Sequence, residues 1–285
     1  MGEYMNLTKA GRWLQRVISE FRQMTNKREP IPISPSATTK PKMSENQREF
    51  QNLIFNAKEI LESEFPHKIY EYIYLLGKAR QHQLITNCLR KSVIEKSSID
   101  DVEDLFFWSR ADIDYSFHLY DEADRRLNWF TDEEYIGLSE MRLDPKDTLI
   151  FPLTWKSRKL RDCMLEIGRD IGQPWEFDDM NHNVKYVKPL NIGVVMNGNH
   201  SMAINIIRNE SSDVKVESIL DLSPIYEELY TDGEYFWKKQ SGEMKERKLA
   251  EVDSIEMAAL FEIGRLINEY HPLTNLHGKG RLMNK

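Results

Sequence analysis

The chain has 285 residues, of which 40% are hydrophobic and 30% are charged, so it can bury a substantial core. Its formal net charge of −7 argues against sequence-independent binding to a phosphate backbone, which depends on an excess of lysine and arginine. No run of about eighteen apolar residues is present, and the N-terminus lacks the pattern of a secretory signal. These features predict a cytoplasmic protein that does not enter a membrane and does not bind nucleic acid directly.

The N-terminal segment, residues 1–26, has the pattern of an amphipathic helical arm. Its apolar residues recur at the spacing that places one stripe along a helix, namely Leu7, Ala10, Leu14, Val17, Ile18 and Phe21. Residues 27–44 follow as a linker rich in proline and serine, a composition that favours an extended chain. The arm therefore either packs on its own core or docks on a neighbouring subunit or partner.

Residues 45–144 are predicted to form a helical domain. Ser44 and Gln47 have the spacing of a capping box, and Pro66 interrupts the helix that follows, so a second helix begins after it. Residues 101–140 then combine aromatic and acidic side chains, a mixture that suits either a core or a protein contact surface. The excess of acids in this segment argues against a stacking platform for single-stranded nucleic acid.

Residues 145–285 are predicted to form a mixed α/β domain. The patterns indicate a buried strand over 148–151, a helix over 155–167, a strand over 214–219 and a final helix over 253–270. The whole chain is therefore predicted to have an α+β fold, with a helical N-terminal region and a mixed α/β C-terminal domain.

A short basic run lies at the start of the helix predicted over 155–167. It consists of Lys156, Arg158, Lys159 and Arg161. Such a run is typical of a solvated helix face, and that interpretation is favoured over a local phosphate-binding face.

The most informative stretch is a polar turn that follows an apolar, strand-like run. The turn consists of Asn197, Gly198, Asn199, His200 and Ser201. A helix beginning at Ser201 would direct its free backbone N–H groups at this turn, an arrangement that can hold an anion. One glycine beside one histidine is a weaker signal than a full phosphate-loop pattern. The turn is thus a candidate ligand-binding site without an assigned ligand.

A catalytic alternative uses carboxylates and imidazoles from the polar segments as a magnesium or manganese site for phosphodiester hydrolysis. The candidate ligands are Asp178, Asp179, His182 and His200, joined by Asp221 or Asp232. The same residue types also cap turns and helices, and this structural interpretation is favoured. The two cysteines, Cys88 and Cys163, lack neighbours at zinc-ligand spacing. We therefore predict no catalytic residue, no metal and no cofactor.

The segment from Gly198 to Ser201, followed by the strand over 214–219, resembles the phosphate-contacting turn of the ParB and sulfiredoxin-like superfamily. The resemblance covers residues 145–230. In that superfamily the turn reads glycine, any residue, histidine, arginine, and Ser201 stands where the arginine is expected. The resemblance implies a ParB/sulfiredoxin-like fold for the C-terminal domain, and the serine removes a bidentate donor to phosphate.

The whole chain resembles an uncharacterised family of low-GC bacteria and their phages, through its helical N-terminal part and the segments 178–182, 198–201 and 232–233. It is also similar to the phage anti-defence proteins that inhibit the Gabija system. That resemblance implies a phage-encoded, non-enzymatic inhibitor in the host cytoplasm. Such proteins assemble into a homo-oligomeric cage around the host nuclease–helicase complex and block its access to DNA.

An inhibitor of this kind needs broad protein-binding surfaces. Aromatic side chains are the candidate anchors, although aromatic residues lie more often in cores, and they are Trp108, Tyr115, Trp129, Phe130, Tyr235, Phe236 and Trp237. Two alternatives remain open: a ParB/sulfiredoxin-like nucleotide-binding protein, and the metal-dependent nucleic-acid-processing enzyme.

Overall fold

The computed structural model describes residues 43–90, 105–106, 141–239 and 247–270. All of these residues lie in one compact unit, Met43–Lys285. The predicted arm and all but the end of the predicted linker lie outside the described residues, as do the candidate anchors Trp108, Tyr115, Trp129 and Phe130.

The described α-helices are α1 (Glu45–Leu61), α2 (Ile69–Arg90), α3 (Ser157–Glu166), α4 (Asn199–Arg208), α5 (Ser223–Glu228) and α6 (Ile255–Tyr270). Short 3-10 helices span Pro66–Lys68 and Arg169–Ile171. None of these helices combines the length and the apolar character that crossing a membrane requires.

The described strands are β1 (Arg142–Leu143), β2 (Leu149–Pro152), β3 (Asn183–Lys188), β4 (Ile192–Asn197), β5 (Val214–Lys215), β6 (Ser218–Asp221), β7 (Leu229–Thr231), β8 (Tyr235–Lys238) and β9 (Arg247–Glu251). They form a β1–β5 pair, a central sheet ordered β2-β4-β3-β6, and an antiparallel meander ordered β7-β8-β9.

The central sheet is mixed in direction. β2 runs parallel to β4, with Leu149 opposite Ile192, whereas β3 and β4 form an antiparallel hairpin. β6 joins the other side of β3 in parallel. The carboxyl ends of β2 and β4 and the amino end of β3 therefore meet at one edge of this sheet.

Both faces of the central sheet are covered by helices. Side chains alternate between faces along a strand, so Leu149 and Phe151 lie in one core cluster with residues of α1, α2 and α6. Ile150 and Val195 point the other way and pack against α4. The helix α3 in turn packs on α4 and α2 through the buried Leu160.

The helix α2 covers the edge strand β2, whose outer backbone groups would otherwise lack partners. The buried amide of Gln81 donates a hydrogen bond to the carbonyl of Ile150, and the Thr154 hydroxyl donates to the carbonyl of Leu84 at 3.3 Å. The helical segment over 45–90 thus shares its core with the strands that follow it in sequence.

The meander joins the same core through aromatic contacts. Phe236 of β8 is 1% exposed and meets Phe261 of α6 edge to face, with ring centroids 5.5 Å apart. Tyr226 approaches the same ring at 5.0 Å. Phe261 therefore ties the meander and α5 to the helical layer.

The α+β architecture is confirmed, with helices first and strands concentrated after residue 141. The capping box at the start of α1 is also confirmed. The backbone N–H of Gln47 donates to Ser44 Oγ at 3.1 Å, and the N–H of Ser44 donates to Gln47 Oε1 at 3.2 Å. Both bonds satisfy donors that a helix start leaves open.

The region predicted as one strand over 214–219 is instead divided between two sheets. β5 pairs with β1, and β6 pairs with β3. Between them, the N–H of Val216 bonds to Met141 and the N–H of Glu217 to Val184. The alternating pattern correctly indicates extended chain, but pairing partners outside the segment decide where the strand breaks.

A glycine allows α2 to approach β2 closely. A Cβ atom on Gly77 would lie 2.1 Å from the Cδ2 atom of Leu149, which is 1% exposed. Alanine at an exposed helix position would stabilise the helix by about 1 kcal/mol, but here the clash dominates. We expect Gly77→Ala to lower the free energy of unfolding by about 1–3 kcal/mol in chemical denaturation.

The control is a double-mutant cycle with Leu149→Val, which removes the clashing atom. The double variant should be less destabilised than the sum of the two single variants. Simple additivity would contradict the proposed contact.

Candidate functional site

The candidate site lies at the sheet edge where β2 and β4 end and β3 begins. β4 ends at Asn197, Gly198 is the N-cap of α4, and the helix begins at Asn199, two residues earlier than predicted. Open parallel sheets bind ligands outside the carboxyl ends of their strands, so this edge is the natural place to look for one.

Gly198 makes the sharp turn from β4 into α4. Its φ is 74°, a left-handed conformation that L side chains rarely adopt, and a Cβ atom here would meet His182 Cδ2 at 2.2 Å. Glycine is therefore required for two reasons: the backbone conformation and the histidine packed against it.

His182 and Ser201 form one polar chain with the backbone. The N–H of Asp178 donates to His182 Nδ1 at 2.9 Å, so this nitrogen is unprotonated and the neutral ring carries its proton on Nε2. Nε2 then donates to Ser201 Oγ at 2.6 Å, and the serine hydroxyl donates to the carbonyl of Gly198 at 3.0 Å. The polarity is the reverse of a serine–histidine nucleophile, in which Nε2 accepts the serine proton.

Aromatic rings hold His182 in place. Trp175 stacks on the imidazole with ring centroids 4.9 Å apart, and Phe177 lies 5.2 Å away. The histidine is 6% exposed, and this burial lowers its pKa, partly opposed by the charge of Asp178. The ring is therefore neutral at neutral pH.

His200 has a different set of partners, contributed by the loop after β2. Its Nε2 accepts the backbone N–H of Lys156 at 3.0 Å, at the start of α3, and that of Trp155 at 3.4 Å. The residue is 7% exposed, and burial together with the charges of Lys159 and Lys156 lowers its pKa to about 4. His200 thus acts as a neutral acceptor that joins the start of α4 to the start of α3.

Asn199 makes a third link across this edge. Its Oδ1 accepts the backbone N–H of Leu153 at 2.6 Å, immediately after β2. The first two side chains of α4 therefore satisfy the backbone where β2 leaves the sheet, because the parallel pairing of β2 and β4 brings both chain ends together.

The carboxylates of the catalytic alternative are engaged in turns and ion pairs. Asp178 accepts from the N–H of Met180 at 2.9 Å, and Asp179 pairs with Lys215 at 2.7 Å. Asp221 accepts from the N–H of Ser223 at 2.9 Å, and Asp232 from the N–H groups of Glu234 and Tyr235 at 2.9 and 2.8 Å. Within the described part of the chain, no three His, Cys, Asp or Glu side chains are placed to hold a metal ion together.

The candidate anchors of the meander divide between core and surface. Phe236 lies in the core, so it does not offer its ring to a partner. Tyr235 and Trp237 are half-buried on the opposite face, beside Tyr230 of β7. Alternation along β8 explains the difference, since successive side chains point to opposite faces of a strand.

Trp175, the hydrogen bond between Asn199 and Leu153, and the pairing of His182 with Ser201 are the site features that sequence reasoning missed. A usable signal was present in the β3–β4 hairpin. Pairing Asn183 with Asn197 places the residue before β3 beside the residue after β4. The stacking of Trp175 has no comparable sequence signal, because it depends on the path of an irregular loop.

Comparison with protein families matches residues 36–272 to a family described as one of unknown function. Searches of the curated proteins and of the solved structures found no match to this chain.

We expect Gly198→Ala to lower the free energy of unfolding by about 1–3 kcal/mol, because it adds backbone strain and a clash with His182. Gly172 is the matched control, since its φ of 73° is nearly the same but no atom lies within 4 Å of its Cβ position. Thermal unfolding should show a larger loss for Gly198→Ala than for Gly172→Ala. Equal losses would mean that the contact with His182 contributes nothing.

The neutral state of His200 should make the stability of the fold depend on pH. The pKa of His200 falls from 6.5 in the unfolded chain to about 4 in the folded one, so the unfolded chain binds the proton first as the pH is lowered. The stability that neutral His200 contributes is therefore fully present above pH 6.5, and it declines by about 3 kcal/mol as the pH falls towards 4. His200→Gln retains an acceptor near the Nε2 position but does not titrate.

The free energy of unfolding of His200→Gln should therefore decrease less than that of wild type between pH 6.5 and pH 4. At pH 7.5, the difference in the free energy of unfolding between the two proteins measures the packing cost of the substitution. His182 is present in both proteins, so it gives both the same remaining dependence on pH. Parallel pH profiles would contradict the role assigned to His200.

Proposed function

The chain belongs to this family of unknown function, DUF6710. We propose that the protein inhibits another protein complex by binding it. The observation that carries the proposal is the state of the two site histidines. His182 Nδ1 and His200 Nε2 both accept backbone hydrogen bonds, so neither nitrogen is open to a metal ion or a substrate proton. The polar edge of the sheet is then a structural network, and function belongs to the surfaces around it.

The partner class follows from the whole-chain resemblance. Similarity to phage proteins that inhibit the Gabija system favours a host nuclease–helicase complex as the partner, encased by a homo-oligomer that blocks access to DNA. An acidic inhibitor suits this role, because a net charge of −7 gives it no general attraction to the DNA that it competes with.

The outer face of the meander supports protein binding. Tyr230 and Trp237 are cross-strand neighbours whose rings lie nearly parallel, at 6.5 Å, and the ammonium of Lys248 lies 2.9 Å from the Tyr235 ring centroid. Rings held in this way lose little conformational entropy on binding, which is why tyrosine and tryptophan are frequent interface anchors.

The test is reconstitution with the purified Gabija nuclease–helicase complex. We expect co-elution in a high-mass assembly and loss of DNA cleavage when the chain is added. A variant with Tyr235→Ala and Trp237→Ala should bind at least about tenfold more weakly, whereas Phe55→Ala, an exposed ring on α1, should bind as wild type does. A monomer that leaves cleavage unchanged would refute the proposal.

The metal-dependent alternative is separated from inhibition by a conservative pair of substitutions. His182→Asn and His200→Gln together retain acceptors for both backbone N–H groups but remove the imidazoles. The inhibitor proposal expects cleavage to be blocked as in wild type, provided that circular dichroism shows a folded chain. If this folded variant no longer blocks DNA cleavage, the metal-dependent enzyme is favoured over the inhibitor.

A nucleotide-binding function is the second candidate, favoured by one observation. Gly198 is an N-cap without a side-chain hydrogen bond, so the start of α4 keeps donors suited to a phosphate. Ser201 counts against it, because its hydroxyl is engaged with His182 and Gly198. Calorimetric titration with the common nucleoside triphosphates tests this function, and heat from any of them would support it.

A further inference from the structure

Four cations lie at the start of α3, two of them beside one indole ring. We call this group the Trp155 basic cluster: Trp155, Lys156, Arg158, Lys159 and Arg161. The ammonium groups of Lys156 and Lys159 lie 4.5 and 5.1 Å from the Trp155 ring centroid. The side chains of Arg158 and Arg161 are 70% and 59% exposed.

Among the described residues, the neighbours of the cluster do not neutralise all of its positive charge. Asp162 is shared by the two arginines, 3.8 Å from Arg158 and 3.2 Å from Arg161. Among the described residues, no carboxylate forms an ion pair with Lys156 or Lys159. Their contact with the ring of Trp155 is attractive, but it leaves the positive charge without a counter-ion.

These cations also stand at the unfavourable end of their helix. Lys156 is the N-cap of α3, Lys159 lies in the first turn, and that turn has no acidic residue. A helix N-terminus carries partial positive charge, so cations there cost stability whereas carboxylates would add to it. Helix electrostatics therefore opposes lysine at these two positions, which is the kind of local conflict expected at a functional surface.

We propose that the Trp155 basic cluster binds a carboxylate-rich segment of a protein partner. This inference rests on the proposed inhibitor function and assigns a second contact surface to it, on a different element from the meander. Lysine and arginine supply donors for several carboxylates, and the ring of Trp155 holds the two lysines close together.

Two observations favour protein carboxylates over nucleic acid. A base could stack on Trp155 only by competing with the two ammonium groups that lie over its ring. The cluster is also confined to residues 155–161, at the start of one helix, in a chain of net charge −7, whereas backbone-tracking proteins extend basic residues along a groove.

The experiment titrates the full chain with two fluorescent probes of equal length, an oligoglutamate peptide and a single-stranded DNA oligonucleotide. The test variant is Lys156→Glu with Lys159→Glu. The control is Arg48→Glu with Lys58→Glu, which makes the same charge change on exposed positions of α1. We expect the peptide to bind wild type and control alike and to bind the test variant at least about tenfold more weakly.

Thermal unfolding separates binding from folding. The test variant places carboxylates at the start of α3, so its melting temperature should equal or exceed that of wild type. Absence of peptide binding, equal binding by the test variant, or tighter binding of the oligonucleotide would each overturn the inference. Failure of wild type to bind the nuclease–helicase complex, with the peptide result intact, would instead refute the proposed function alone.

Discussion

The parallel pairing of β2 with β4 is the constraint on which the rest of the structure depends. It places two chain segments that are far apart in sequence side by side, so the residues leaving β2 lie beside the first turn of α4. Asn199 and His200 then satisfy the backbone N–H groups of Leu153 and Lys156. Because the antiparallel β3 begins at the same edge, His182 reaches Ser201 there as well. These links position α3 and α4 in addition to their apolar contacts.

The chemistry of this edge is decided by the direction of its hydrogen bonds. When an imidazole nitrogen accepts a hydrogen bond from a backbone N–H, its lone pair is no longer available to a metal ion or a proton. Burial further disfavours the protonated ring. His182 and His200 are both in this state, and the carboxylates nearby cap turns or pair with lysine. The candidate metal ligands His182 and His200 thus take part in hydrogen bonds that link two helix starts and a hairpin.

The features that the fold does not explain lie on its surface. The outer face of the meander carries Tyr230 of β7 and Tyr235 and Trp237 of β8, whereas Phe236 of β8 is buried in the core. On the other side of the central sheet, α3 begins with cations where helix electrostatics favours acids. Rigid aromatic rings and charge that no described carboxylate neutralises are both means of recognition, and neither is needed to hold the sheet together. Their presence on separate elements suits a protein that grips a large partner at more than one place.

The sequence by itself determined the α+β class, the capping box of α1, the buried strand β2, the turn at Gly198 and the last helix, because each depends on local periodicity or on the conformational preference of one residue. It also predicted a structural role for the histidines, but it did not identify their hydrogen-bond partners. Only the tertiary structure decided that 214–219 would divide between two sheets and that Phe236 would turn inward. It alone showed that Lys156 and Lys159 would share one tryptophan. Strand register and hydrogen-bond direction are set by residues distant along the chain, so no local pattern can specify them.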